Sequence, residues 1–559
     1  MVNTQHLEVE YTLPGTEILL THEEGSSSEE GAVEKICLIP EPSDQPDDPL
    51  NWSPTWKAIV IVNQAIFVFI SVLTPLSIAP LTPIFMQEFR ITLPEVNMLF
   101  GAVAISLGYA NFIIVPFSNV FGRRPTTLIC GLVCVLTNVW QALATSYPSF
   151  IGARVISGLG AAANESIMPM VVADVMFLHQ RGLWMGLYFW SYFIGNFIGP
   201  IISGSIAASI SWRWFFWVCT ILQAGNLLMM VALFPETRYH RPELSTPNST
   251  SSTDVANEES KLEGPIPCET ALKQGPRLET GDNVKIGTKH HESRHAHSHP
   301  ATDHVKGRPA KHQFSLIPRP KIYGALRETL VRDILAPIEI ISYPIILWAA
   351  LSLGFASNCL LALNLTQSQV FAAPPYFFTP AQVGFVNFAF VVGGIIGLCT
   401  AGPVSDWVSI LLAKRNKGVR EAEMRLWVLI PYIAICLVGM TIAAVGYQRH
   451  WPWAVIVVVG YGFVGVEVVS IPAIVISYAV DCYKHIPGQI MVTATIAKNT
   501  FGFGMIFFFN DWAVRAGFIP PVMTLMALCV GFTLIGTIVF LKWGKSLRLR
   551  TRDSKLHSL

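Results

Sequence analysis

Residues 186–204 read GLYFWSYFIGNFIGPIISG, a stretch without Asp, Glu, Lys, Arg or His. A helix that crosses the hydrocarbon core of a bilayer needs about 20 mostly apolar residues, and this stretch meets that requirement. Its glycines are Gly186, Gly195, Gly199 and Gly204. Because glycine has no side chain, these positions let a neighbouring helix approach closely. Pro200 lacks the N–H of a helical hydrogen bond and is expected to bend the helix.

Apolar segments of similar length recur along the whole chain. We place transmembrane helices, named spans one to twelve, at about 57–79, 94–117, 126–146, 149–173, 183–208, 214–235, 344–367, 381–404, 426–447, 453–480, 488–510 and 521–542. The chain is only 13% charged, against about 25% in soluble domains, so the lipid bilayer must form part of its solvent. These features predict an all-α integral membrane protein with two six-helix bundles.

A long polar stretch separates the two groups of six spans. The predicted domains are an N-terminal tail (1–55), an N-terminal bundle (56–237), a disordered central loop (238–340), a C-terminal bundle (341–543) and a C-terminal tail (544–559). The central loop is too polar to bury a core. The C-terminal end of the central loop, 322–340, is expected to form an amphipathic helix on the membrane face. Its histidine-rich tract, 290–299, is interpreted as part of a linker, although such tracts can bind zinc.

Lysine and arginine residues are concentrated on one side of the predicted membrane. The short loops on that side contain Arg123, Arg124, Arg181, Lys414, Arg415, Lys417, Arg420, Arg425 and Lys484. The side richer in positive charge is cytoplasmic. Both termini and the central loop are therefore predicted to be cytoplasmic. We expect the plasma membrane as the location, with a vacuolar membrane as an open alternative.

Several classes of protein are excluded. A net charge of +1 argues against nucleic-acid binding. The ten cysteines show no paired spacing, so we predict neither disulfides nor a metal site. The motifs H-E-x-x-H and G-x-S-x-G and the P-loop do not occur, so we expect no enzyme activity and no cofactor. A monomer in the lipid bilayer is expected.

Few ionisable side chains lie within the predicted spans. Arg154 and Glu165 are in span four, Glu467 is in span ten and Lys498 is in span eleven. A charged side chain at the bilayer centre costs about 2.5–3.5 kcal/mol on insertion scales, so such residues mark functional positions.

Spans four and ten share the pattern G-x-G-x-x-x-x-E. The matching residues are Gly158, Gly160 and Glu165 in span four and Gly460, Gly462 and Glu467 in span ten. Matching positions in two repeated halves predict that both glutamates face one cavity and take part in proton coupling. Glu467 is expected to be the better proton carrier because span ten contains no arginine near it. The alternative is two packing motifs, each with one salt-bridged acid.

The glycines and proline of span five resemble the motif of drug:proton antiporters in the major facilitator superfamily. They fit G-x8-G-x3-G-P-x2-G-G, with Ser203 replacing one glycine. Arg154, Gly158 and Gly160 match the family's span-four pattern R-x-x-x-G-x-G, and the resemblance implies a role for Arg154 in proton coupling. The segment 47–53, DDPLNWS, resembles the fungal branch that contains polyamine, histidinol and drug carriers.

Two loops resemble the family motif that follows the second helix of each half. The first copy keeps Gly122, Arg123 and Arg124 but has Asn119 in place of an aspartate, and the second keeps Gly402 and Asp406. The resemblance implies that these residues, with Asp174 and Arg181, form a cytoplasmic gate. Asn119 departs from the pattern, which puts the usual charge relay of the N-terminal half in doubt.

The resemblance also implies alternating access around a central cavity lined by spans one, four, seven and ten. Besides the two glutamates, the cavity candidates are Asn63, Gln64, Asn164, Asn358, Asn364 and Tyr461. The predicted function is proton-coupled efflux of a drug or secondary metabolite. The alternatives are an importer of a cationic nutrient such as a polyamine, and a non-transporting membrane receptor on the same fold. The sequence leaves the substrate and the direction of transport open.

Overall fold

The computed structural model describes residues 15–18, 42–43, 45, 47–239, 307–315, 326–416, 419–483 and 486–551. Twelve helices in these ranges are long and apolar enough to cross a membrane. They are Pro54–Ser71, Leu93–Phe121, Arg123–Leu143, Tyr147–Val175, Gln180–Ser209, Trp212–Leu233, Pro344–Phe371, Pro380–Arg415, Ala422–Arg449, Val455–Cys482, Pro487–Ala516 and Ile519–Thr551. They correspond in order to the predicted spans and keep their names. The all-α prediction with twelve spans is confirmed.

Shorter elements divide or connect the spans. Span four consists of Tyr147–Ala161 and Ala163–Val175, and span ten begins as a π-helix, Val455–Tyr461, before Gly462–Cys482. Two more short helices, Pro380–Phe385 and Ala422–Val428, begin spans eight and nine. Short helices between the spans include Pro49–Asn51, Ala79–Leu81, Thr82–Glu88 and Lys311–Phe314. Strand β1, Thr16–Ile18, pairs antiparallel with strand β2, Val419–Glu421. We call the end of the bundle at which span one begins the inner end, and the opposite end the outer end.

The helix of span one is shorter than predicted. It ends at Ser71 rather than near residue 79, and the chain continues through turns to the short helix Ala79–Leu81. Two prolines explain this, since Pro75 and Pro80 cannot donate a backbone hydrogen bond to a continuing helix. The buried segment after Ser71 packs against span five.

The prediction that the loop 238–340 is disordered is wrong for two of its segments, 307–315 and 326–340. Residues 307–315 contact the N-terminal half, where the Gln313 side chain donates to the Asp47 carbonyl at 3.0 Å. Leu326–Ile340 is a helix, which we call the linker helix and which agrees with the predicted amphipathic segment. Buried Ala336, Pro337 and Ile340 alternate with exposed residues along it. Residues 240–306, which include the histidine-rich tract, lie outside the described residues.

The predicted tails also contribute ordered structure. Span twelve continues to Thr551, seven residues beyond the predicted tail boundary at 544 (551 − 544 = 7). Its buried Arg548 forms an ion pair with Glu423, with an Nη2–Oε2 distance of 2.6 Å, and also donates to Thr16 of β1 at 3.2 Å. The buried guanidinium explains the extension, because a helix that stopped earlier would leave Glu423 without its cation.

Small residues allow the two halves to pack closely. A Cβ atom added to Gly108 of span two would lie 2.8 Å from Cβ of Asn499 in span eleven. One added to Gly101 would lie 2.9 Å from the Phe503 ring. Spans two and eleven are therefore in direct backbone-to-side-chain contact, as small residues permit between membrane helices.

Candidate functional site

A cavity that is partly open to the exterior lies between spans two, five, seven and eleven and the segment that follows span one. Its apolar wall includes Leu76, Phe100, Val103, Phe193, Leu361 and Ile506. Its polar wall includes Tyr192, Asn196, Ser357, Asn358, Lys498 and Asn499. Mostly apolar walls with a few polar groups are typical of sites for small organic molecules.

An ion pair connects the two halves beside this cavity. Lys498 Nζ of span eleven donates to Glu165 Oε1 of span four. Tyr192 of span five donates to the same oxygen at 2.6 Å, and Asn499 donates to Oε2 at 3.4 Å. Glu165 is 1% exposed, so its charge depends on these donors rather than on water.

Lys498 completes this cluster from the C-terminal half. Its ammonium group also donates to the Tyr192 hydroxyl at 2.8 Å and lies 4.6 Å from the centre of the Tyr192 ring. The arrangement buries one cation and one anion with mutual hydrogen bonds, which is the condition under which buried charges are tolerated. Loss of either charge would leave its partner buried and uncompensated.

The other cavity candidates divide into two groups. Only Asn358 lines the cavity, where its amide donates to the carbonyls of Gly354 at 2.7 Å and Lys498 at 3.3 Å. The remaining five are buried outside it: Asn63, Gln64, Asn164, Asn364 and Tyr461. Asn164 bonds Ser71 at 2.9 Å, and Tyr461 bonds Tyr447. Asn364 donates to the Leu360 carbonyl of its own helix at 3.1 Å, and neither amide atom of Asn63 has a hydrogen-bond partner in the described part of the chain. In the conformation described, these five residues therefore do not line this cavity as predicted.

Arg154 lies in an aromatic cluster and not beside Glu165. Its guanidinium donates to the Thr74 carbonyl at 2.8 Å and lies 5.4 Å from the Phe150 ring and 5.7 Å from the Phe216 ring. In the described residues it forms no ion pair with a carboxylate. Fully buried, it connects span four to the segment after span one through a backbone carbonyl and cation–π contacts. A part in proton coupling stays a prediction.

The prediction that Glu165 and Glu467 face the same cavity is wrong. Glu467 is fully buried within the C-terminal half, where Cys529 of span twelve donates to its Oε1 at 3.5 Å. Span four is interrupted at Ala162, between its glycines and Glu165, whereas span ten begins as a π-helix, Val455–Tyr461, and continues as one α-helix through Glu467. The same spacing in the two spans therefore does not give the same surroundings.

At the inner end, Asn119 occupies the aspartate position of the loop motif and still takes part in a polar network. Arg123 donates to Asn119 Oδ1 at 2.7 Å and pairs with Asp174 at 3.2 Å. Asn119 in turn donates to Asp333 of the linker helix at 2.9 Å. Asp333 of the linker helix thus contributes a carboxylate where the motif position has none, and the network joins spans two, three and four to the linker helix.

Two charged side chains cap helices at this end. Arg124 donates to the carbonyls of Met230 at 3.1 Å and Val231 at 2.8 Å, and to that of Phe234. These carbonyls lie at the end of span six, where backbone acceptors run short of helical donors, although the Met230 carbonyl also accepts the N–H of Phe234. Glu236 accepts from the backbone N–H groups of Arg123 at 2.9 Å and Arg124 at 3.1 Å, which begin span three. Each cap places a charge at the favourable end of a helix dipole.

We expect Glu236→Ala to lower stability without changing the cavity. Removing a side chain that caps a helix N-terminus costs about 0.5–2 kcal/mol, and Glu236 also accepts from the N–H of Arg238 at 3.0 Å. Thermal unfolding of detergent-purified protein measures the effect. The control is Glu339→Ala, because Glu339 is exposed on the linker helix. Equal midpoints for both variants would contradict the capping role.

The C-terminal half has a corresponding network. Arg425 pairs with Asp406 and Asp481, at 3.0 Å in each case, and Arg420 also pairs with Asp481 at 3.0 Å. A Cβ added to Gly182 of span five would lie 2.6 Å from Asp406, so this network contacts the N-terminal half.

The other two gate candidates at this end are Arg181 and Gly402. Arg181 donates to the carbonyls of Ala173 and Met176 at the end of span four. Gly402 has no neighbouring atom within 4 Å of an added Cβ. A gate role for these residues, as for the Asp406 network, stays a prediction.

The motif glycines of span five allow close packing, as expected. Cβ atoms at Gly195 and Gly199 would meet the backbone carbonyls of Phe69 and Leu73, at the end of span one. One at Gly204 would lie 2.5 Å from the Pro380 carbonyl of span eight, in the other half. Pro200 lies inside an unbroken helix. Span five therefore contacts both halves at the outer end through its glycines.

Comparison with known proteins places this architecture in a family. Residues 64–509 match the sequence profile described as the Major Facilitator Superfamily, which covers most of the chain. The chain belongs to the major facilitator superfamily. A protein of Schizosaccharomyces pombe named as an uncharacterized MFS-type transporter is 26% identical, over 93% of this chain and 90% of that protein. Protein HOL1 of Saccharomyces cerevisiae is 26% identical, over 94% and 92%.

A solved structure agrees with the fold. The human organic anion transporter MFSD10 superposes with a TM-score of 0.52 at 14% identity, covering 86% of this facilitator and 99% of that chain. An identity that low supports the fold alone. Family membership makes the chain a multi-pass membrane carrier rather than an enzyme. The drug:proton antiporter branch is not established by these comparisons.

Part of the site could not be predicted from the sequence. Lys498 stood out as an ionisable residue within a span, but its partner could not be identified, and Tyr192 and Asn499 carried no signal. Glu165 and Lys498 are 333 residues apart. The only available clue was charge, since a buried lysine in a membrane helix requires an anion nearby.

Proposed function

We propose that this facilitator is a proton-coupled exporter of a small organic molecule, with Glu165 as its proton-binding group. The observation that supports this most directly is the buried pair of Glu165 and Lys498, which joins the two halves at the cavity wall. Glu165 is bonded to Lys498, which lines the cavity, and the bond crosses from one half to the other. A titratable carboxylate therefore lies beside both the cavity and the contact between the halves.

The proposed coupling follows from the cost of an unpaired buried charge. With Glu165 ionised, the pair holds spans four and eleven together. When a proton neutralises Glu165, the ammonium group of Lys498 loses its counter-charge and is destabilised in the interior. Separation of span eleven from span four then lets water or an anionic group reach Lys498. Protonation thereby favours one opening of the cavity and deprotonation favours the other.

The walls of the cavity support an amphipathic substrate. Large apolar side chains cover most of the cavity, and the amides of Asn196 and Asn358 offer hydrogen bonds. Export, rather than uptake, rests on the resemblance of span five to drug:proton antiporters.

An importer of a cationic nutrient is the second candidate. Its specific support is that Glu165 and Tyr192 already bind one primary ammonium group, that of Lys498. A substrate ammonium group of similar size can replace it. Such a substrate would compete with Lys498, whereas a neutral drug would bind beside the intact pair.

Proteoliposomes with an entrapped pH-sensitive dye distinguish these candidates. We expect a panel of neutral amphipathic drugs to include compounds that move in the direction opposite to protons, and labelled spermidine to remain outside the vesicles. Proton movement together with spermidine would contradict the proposal and support the importer. Absence of flux for every compound, in vesicles that contain correctly folded protein, would support a receptor. Protein-free vesicles are the control.

A further inference from the structure

Three cysteine thiols meet in the interior of the C-terminal half. Cys359, Cys436 and Cys529 come from spans seven, nine and twelve, and their sulfur atoms all lie within 4.8 Å of one another. All three residues are fully buried. Cys436 Sγ donates to Cys529 Sγ at 3.9 Å. Because the three come from distant segments, the spacing of cysteines along the chain did not predict this cluster.

Glu467 of span ten lies against the same cluster and has an unpaired oxygen. Its Oε1 accepts from the Cys529 thiol at 3.5 Å, while its Oε2 has no hydrogen-bond partner in the described part of the chain. Thiols are weak donors, and a buried carboxylate without strong donors is unfavourable. By contrast, Glu165 accepts from an ammonium, a hydroxyl and an amide. The surroundings of Glu467 therefore lack a positive group.

We propose that Cys359, Cys436 and Cys529 bind a thiophilic metal ion, Cu(I) or Zn(II), beside Glu467. Cysteine sulfur selects these soft or borderline ions over Mg²⁺ and Ca²⁺. At a metal–sulfur distance of about 2.3 Å, two sulfurs of a tetrahedral site are about 3.8 Å apart. The Cys436–Cys529 separation of 3.9 Å already meets this value. The ion supplies the positive group that Glu467 lacks.

Cysteine binds a metal as the thiolate, so the coordinating thiols lose their protons when the ion enters. For each sulfur–metal bond that forms, one S–H bond breaks and its proton is released to the buffer. No electron is transferred, so the ion keeps its oxidation state.

The site would connect four helices of one half. Its ligands come from spans seven, nine and twelve, and Glu467 from span ten. The cluster is fully buried and shares no residue with the cavity. The ion therefore has a structural role that stiffens the C-terminal half and is independent of the substrate. The proposed site does not rest on the proposed transport function.

Metal analysis of the purified full chain tests the proposal. Protein is purified in detergent with a reductant, incubated with Cu(I) or Zn(II) in separate samples, passed through a desalting column and analysed by mass spectrometry for bound metal. We expect about one ion per chain to be retained, with the two samples showing which ion binds more tightly. The variant Cys359→Ser/Cys436→Ser/Cys529→Ser is expected to retain about one ion per chain fewer than the wild type. Equal metal content in this variant and the wild type would overturn the proposal.

The matched control is Cys130→Ser/Cys134→Ser, which removes two buried cysteines from span three in the other half. It is expected to retain as much metal as the wild type. If the triple variant fails to fold, titration of the wild type with Cd(II) provides an independent result. Three cysteine ligands predict ultraviolet absorption from thiolate-to-cadmium charge transfer that saturates at one ion per chain. A titration without this absorption would also overturn the proposal.

Discussion

The Glu165→Gln protein is expected to lose proton-driven transport while still exchanging substrate across the membrane. Glutamine keeps the size of the side chain and can accept a hydrogen bond from Tyr192, but it binds no proton at physiological pH. It also leaves Lys498 without a counter-charge in the interior. If protonation of Glu165 is the coupling step, the variant behaves permanently like the protonated carrier and does not respond to a pH gradient.

The same substitution is expected to destabilise the protein, and a second variant separates the two effects. Removing one partner of a buried ion pair costs about 3–5 kcal/mol, because the remaining charge stays uncompensated. The double variant Glu165→Gln/Lys498→Met removes both charges and should recover much of this stability. It should nevertheless remain insensitive to the pH gradient, since the titratable group is absent. If the double variant is stable but still does not respond to the pH gradient, loss of stability cannot explain the loss of coupling in the Glu165→Gln protein.

Transport and exchange measured in the same proteoliposomes provide the test. Flux of an active compound is followed under an imposed pH gradient, and then without a gradient with the compound on both sides. Glu339→Gln is the control, because it removes an exposed carboxylate of the linker helix. Full proton-driven flux by the Glu165→Gln protein would refute the coupling role and leave Glu165 as a structural or substrate-binding group.

Gly199→Leu is expected to block transport although the protein still reaches the membrane. A Cβ atom at this position meets the Leu73 carbonyl oxygen and lies 3.0 Å from its carbonyl carbon, so it contacts backbone that cannot rotate away. Leucine must therefore push span five away from the end of span one. Gly199→Ala should show a weaker form of the same defect. Overpacking of this kind costs about 1–3 kcal/mol, and more where the backbone must move.

The control for this series is Gly225→Ala in span six. Gly225 has no neighbouring atom within 4 Å of an added Cβ, so the substitution changes a glycine of a membrane helix without a steric conflict. Flux is normalised to the amount of protein in the membrane for each variant. Wild-type flux from the Gly199→Leu protein would remove this contact from the mechanism and weaken the antiporter resemblance. A loss of flux in Gly225→Ala would show that the assay does not report the local contact.

The sequence by itself determined the membrane architecture and the family. Span number and approximate position follow from the length of apolar runs, a local property that needs no knowledge of neighbours. Close packing by Gly195 and Gly199 was also predictable, because the absence of a side chain permits it wherever the neighbour comes from. Span one ended early for a local reason too, namely Pro75 and Pro80, but the apolar run conceals it.

Only the tertiary structure decided which polar groups meet. Glu165 and Lys498 lie 333 residues apart, and Cys436 and Cys529 lie 93 apart. Such contacts depend on how each helix is rotated about its axis and on which helix it faces. Glu165 and Glu467 have the same spacing from their glycines, yet Glu165 bonds Lys498 of the other half, whereas Glu467 accepts from Cys529 of its own half. Hydropathy assigns a residue to a membrane helix, but the rotation of the helix decides which residues it contacts.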